Sequence, residues 1–228
     1  MATNDKSQQM GNLPKLLLKK IFMEVLEKNR LELVQESILN GMDCPQYRDM
    51  VHDYALTGKT TGEEQSEPRI NFTQLNDRRM SRWDKTFKLP EEALQKLSKL
   101  DRELIFLAIT ESWCGDAAAS LPVVNKIAES SSKISLKVVL RDENPELMEA
   151  FLTNGTQSIP KVIVLDGKNQ EIVGEWGPRP QGAAEMVETC KIEHGKLTDA
   201  CKQELQVWYN KDRGESTLKE IFELLALE

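Results

Sequence analysis

The sequence predicts an α/β domain held between two helical segments. Four short apolar runs rich in β-branched residues carry that expectation: "ELIFLAIT" (103–110), "ISLKVVL" (134–140), "KVIVLD" (161–166) and "EIVGEW" (171–176). Each is bounded by turn residues, as buried strands are. Helical periodicity separates the first three runs and fills the chain on either side. Such β-α-β-α-β alternation implies parallel pairing with right-handed crossovers.

Residues 1–12 are polar and expected to be disordered, and 13–100 form a helical N-terminal extension. In it, "KLLLKKIFMEVLEKNRLELVQESIL" places apolar residues at three- and four-residue spacing, predicting two helices that meet around Lys28 to Arg30. The polar stretch 57–69, "TGKTTGEEQSEPR", reads as a loop. After Asn71, a good N-cap, Phe72, Leu75, Met80, Trp83 and Phe87 fall on one helical face. Pro90 opens a short helix ending near Leu100. The α/β domain occupies 101–195, with helices at 114–130 and 145–153. "DGKNQ" (166–170) is a hairpin turn, so the fourth strand runs antiparallel to the third. Helices follow at 181–194, 198–210 and 216–227, the last two forming a C-terminal extension over 196–228. The apolar stripes of both extensions predict docking on the domain or on a protein partner.

The 228 residues are 39% hydrophobic and 29% charged, with a formal net charge of -7. That balance speaks against nucleic acid and anionic membranes as partners. No apolar run reaches the roughly 18–20 residues that span a bilayer, and the first residues lack a signal-peptide core. A cytoplasmic location is therefore expected. The four cysteines, Cys44, Cys114, Cys190 and Cys201, form no C-x-x-C pair. A reducing compartment would keep all four as thiols.

One stretch carries chemistry. In "AITESWCGDAAASLP" a strand ends at Thr110 and a helix begins near Cys114, which puts the sulfur at the positive end of the helix. There a thiolate, the reactive form, is favoured. The other candidates read as structure. Cys44 sits in a turn ahead of Pro45. Cys190 and His194 share a helix face, but with Cys201 they lack a fourth metal ligand, and His194 suits a helix C-terminus. "LTGKTTG" is no phosphate loop, because Asp53 stands where that rule needs glycine. Ser120 follows Cys114 where a phosphatase cradle needs arginine. Residues 76–88 are basic and aromatic, but as an amphipathic, solvated helix.

Trp113, Cys114 and Gly115, the spaced Pro122, the Ser158-Ile159-Pro160 turn and the closing hairpin occur in order over 101–189. In this the chain resembles the thioredoxin family. The resemblance implies a thioredoxin-like fold, a central mixed sheet of about four strands flanked by helices, with a cis Pro160 beside Cys114. Departures are plain. Ala117 replaces the resolving cysteine, Asp116 stands where many relatives have proline, and Ala108 and Val138 replace a buried acid and a lysine. The expected function is monothiol disulfide exchange. Cys114 is the nucleophile, and Gly115 and Asp116 supply amides to its anion. Ser158, Ile159 and Pro160 form a platform for protein or small-molecule disulfides, Trp113 and Trp176 are walls, and Arg179 is a carboxylate anchor. An external low-molecular-weight thiol would be co-substrate, with no metal or other cofactor. The alternatives are a redox-inactive binding module and a peroxide sensor that oxidises Cys114.

Overall fold

The computed structural model describes residues 15–227, with side chains from Leu26 onward. The disorder expected at 1–12 lies outside the described residues. A five-stranded sheet in the order β1-β3-β2-β4-β5 is built from β1 (Met42–Asp43), β2 (Leu104–Thr110), β3 (Ile134–Leu140), β4 (Lys161–Asp166) and β5 (Glu171–Trp176). Strands β2 and β3 are parallel, joined across α5 (Gly115–Glu129). The sheet is mixed as expected, but β4 departs from the parallel pairing that the alternation implied for the first three predicted strands. This strand lies antiparallel to β2, because the chain passes α6 (Pro145–Ala150) and re-enters on the far side of β2, while β5 closes the hairpin.

The fifth strand, β1, comes from the extension and pairs antiparallel with β3 through Met42 and Asp43. Two residues hold no alternation to detect, so periodicity passes over it. Before it runs α1 (Lys15–Asn40), a single helix where two were expected. No proline or glycine interrupts it, so nothing local ends the helix at Lys28 to Arg30. The next helix, α2 (Cys44–Thr57), begins on a capping box between Asp43 and Gln46. Then α3 (Glu67–Thr86) has its N-cap at Ser66, five residues before the expected cap Asn71, since Pro68 presets the first turn. Its core face is Thr73, Asn76, Met80 and Trp83, continued by Phe87. Phe72 is left exposed and Leu75 half-buried.

Strand residues alternate between two apolar layers, as period-two side chains must. Phe106, Ala108, Val138, Val162 and Val164 belong to one apolar core with residues of α2, α3, α5, α4 (Glu91–Ser98), α7 (Gln181–His194), α8 (Asp199–Asp212) and α9 (Glu215–Leu224). Leu107, Ile109, Val139, Ile163 and Leu165 face α1 and α6. Packing does not break at residue 101 or 196: both extensions dock on the domain through these shared cores. No helix among the described residues is long and apolar enough to cross a membrane.

Candidate functional site

The turn after β2 is fixed from behind by a buried cluster of hydroxyls. Ser112 Oγ bonds Thr60, Thr61 and Thr73, at 3.2, 3.1 and 2.8 Å from their hydroxyls. It also accepts from the Thr61 backbone N–H, while Asn76 donates to the Ser112 carbonyl. The loop that mimics a phosphate motif is thus a brace for the cysteine turn. Beside it Glu111 is fully buried. One of its oxygens accepts from the Asp142 backbone, the other has no partner, and burial raises its pKa. Nothing in the local sequence marks Glu111 as an interior acid.

Cys114 caps α5 and lines a cleft of about 660 Å³, yet the residue is 6% exposed. Its thiol donates to the Ile159 carbonyl at 3.3 Å. Burial, with the Asp116 carboxylate adding to it, pushes the thiol up to about 12. Working against this are the backbone N–H groups of Ala117 and Asp116, and the charge of Arg179. The amides that reach the sulfur are therefore those of Asp116 and Ala117, where Gly115 and Asp116 were expected. Gly115 instead lies at the cleft wall.

Asp116 is the second centre. It is buried, and Arg179 Nη2 meets Oδ2 at 2.6 Å while the Tyr209 hydroxyl donates to Oδ1 at 2.9 Å. Burial raises its pKa, opposed by Arg179 and Tyr209. The guanidinium expected to anchor a ligand carboxylate thus holds a carboxylate of the protein itself. Trp113 lines the cleft, and the guanidinium groups of Arg69 and Arg141 lie over its ring, 4.5 and 4.9 Å from the centroid. Trp176 does not line the cleft: it is buried, and its indole N–H donates to Glu220 on α9.

Ser158 and Ile159 line the cleft, and the Ile159–Pro160 peptide is cis. The loop carrying Arg179 presses on this turn. Gly177 has φ +112°, and a Cβ there would lie 2.2 Å from the Pro160 carbonyl oxygen, so only glycine fits. Ala108 and Val138, both fully buried, are paired neighbours on β2 and β3, so the proton-managing pair of the resemblance is an apolar contact here.

A model of the thioredoxin family matches residues 62–192, more than half of the chain. The chain belongs to the thioredoxin family. Among solved structures it is similar to a protein of unknown function from Pseudomonas aeruginosa, at TM-score 0.60 and 16% identity. It is also similar to an HIV epitope scaffold, at TM-score 0.57 and 15% identity. Each alignment covers 84% of this chain and 96% of the other. At such identities these two share the fold alone. No curated protein matches the sequence. The family fold supports a thiol-redox-type role in general terms.

The remaining cysteines part ways. Cys44 is a buried thiol at the first residue of α2. Cys190 and Cys201, expected as thiols, form a disulfide between α7 and α8. Their pairing removes the cysteine-based argument for a reducing compartment. His194 lies within 4.8 Å of both sulfurs, but joined sulfurs offer no thiolate to an ion.

Proposed function

We propose that this thioredoxin-family chain is a binding protein whose cleft over Cys114 takes a ligand while the thiol rests protonated. One observation carries the reading. The Cys114 thiol is buried, bonded to the Ile159 carbonyl and pushed up to about 12, so at neutral pH the nucleophilic form is scarce. Ala117 adds to it, because a dithiol cycle needs a second sulfur at that position to release a mixed disulfide. The cleft has the size of a ligand site and mixes apolar walls with converging polar groups.

A second reading, monothiol exchange, is favoured by the amides of Asp116 and Ala117 that reach the sulfur and by its place on the cleft floor. In it the Cys114 thiolate attacks a bound disulfide, one sulfur leaves as thiolate, and an external thiol later attacks the mixed disulfide to free Cys114. Alkylation by iodoacetamide followed against pH separates the two. The binding reading expects a rate that stays low through pH 9 and climbs only toward 12. A rate that saturates well below ~8.5 would hand the site to exchange chemistry.

A further inference from the structure

The cleft is electropositive on an acidic chain. Arg79, Arg141, Arg179 and Lys202 line it against the carboxylates of Asp116 and Asp199, whereas the whole sequence carries -7. Three of the four cations are already matched. Arg179 holds Asp116, Lys202 holds Asp199, and Arg141 holds Asp142 while stacking on Trp113. Arg79, half-buried on α3, faces no carboxylate among the described residues; its Nη1 donates to Asn76 Oδ1 at 3.3 Å. Burial and the nearby Arg82 both disfavour its charge, so an anion beside it would be favoured.

Both Arg79 and a second donor stand close to Gly115. A point where a Cβ would stand lies 3.7 Å from Arg79 Nη1 and 3.8 Å from Gln206 Nε2. Two N–H donors from two helices, one in each extension, thus converge over a residue that has no side chain to fill the space. We propose that this pocket over Gly115, between Arg79 and Gln206, binds the free carboxylate of the cleft's ligand. A planar fork beside an amide donor matches the two oxygens of a carboxylate. Phe72, Leu75 and Leu197 line the same cleft and offer apolar contact to the group that bears it. The chemistry is shared by the C-terminal end of a peptide and by a small carboxylate derived from a thiol.

The inference rests on the binding reading above, and the test keeps the two apart. Titration calorimetry on the full chain at low salt would compare acetyl-Gly-Ala-Leu with its C-terminal amide, neither of which contains sulfur. S-methyl-N-acetylcysteine, with its sulfur blocked, is the small-carboxylate arm. The free acid is expected to bind about tenfold or more tighter than the amide, the range of a hydrogen bond to a charged group. Whichever acid binds names the source. Arg79→Gln should remove that advantage, bringing acid binding down to the level of the amide. Gly115→Ala should do the same: its contacts are ordinary van der Waals distances, so it occupies the pocket without disturbing the fold. Equal binding of acid and amide, or an advantage that survives Arg79→Gln, overturns the carboxylate pocket and leaves the cleft standing. Binding of none of the probes removes the pocket and the binding reading together.

Discussion

Asp116 adds to the burial that holds its neighbour's thiol protonated. A carboxyl group two residues from Cys114, buried and held by Arg179 and Tyr209, stands close enough to the sulfur to oppose a thiolate. Asp116→Asn keeps the shape and removes the charge. The thiol should then ionise more readily, and its alkylation at pH 8 should rise roughly tenfold, the effect of about one pKa unit. The same change leaves the Arg179 guanidinium without its counter-ion and should cost about 1–3 kcal/mol, measured by urea unfolding. An unchanged alkylation rate would mean that burial alone controls Cys114. Both halves belong to single side chains, and the sequence shows the first: a carboxylate two positions from a cysteine is readable. That Arg179 answers Asp116, where a ligand was expected, is a fact of three dimensions.

At the scale of elements, α8 closes the site. It brings Tyr209 to Asp116, and Leu205 and Gln206 to the cleft wall. Its N-terminal turn is pinned to α7 by the Cys190–Cys201 disulfide, which closes a loop with a sequence separation of 11. Constraining so short a loop stabilises by roughly 2–3 kcal/mol. Cys190→Ser should lower the thermal midpoint, dithiothreitol should lower that of the unmutated protein to the same value, and the variant should not respond to the reductant. A midpoint that ignores dithiothreitol would show that the clasp adds nothing. Helix α3 does the corresponding work from the other side. The C-terminal part of its burial stripe, Met80, Trp83 and Phe87, was legible in spacing, whereas Thr73 and Asn76 were not, and Arg79 read as one solvated charge among several. The residues that line the cleft are at the margin of the apolar stripe, where a half-buried position and an exposed one have the same pattern.

Across the whole molecule, four buried acids of high intrinsic pKa act together. Burial pushes Cys44 and Cys114 up to about 12 and raises the hydroxyls of Tyr47 and Tyr209. In the unfolded chain each ionises near its ordinary value, from about 8.5 for cysteine to about 10 for tyrosine. Between those values and the raised ones the folded state binds more protons than the unfolded state, so stability falls as pH rises. The contribution of these four groups to unfolding free energy should be level up to about pH 8. Above pH 9 it should decline, each group adding up to about 1.4 kcal/mol per pH unit. Urea midpoints at pH 8, 9 and 10 would show this. A flat profile would mean that these side chains reach water in the folded protein.

The sequence by itself determined the strands β2 to β5, the helix that follows Cys114 and the family. Each is written locally, in the period of apolar residues, in turn residues, or in the short ordered motifs Trp113-Cys114-Gly115 and Ile159-Pro160. The tertiary structure alone decided the rest. It added β1, turned β4 antiparallel to β2, and joined Cys190 to Cys201. It carried Tyr209 across 93 positions to Asp116 and set Arg79 and Gln206 over Gly115. The physical reason is that periodicity states which face of an element is apolar and not what that face meets, whereas the charge and protonation of a buried group depend on what surrounds it.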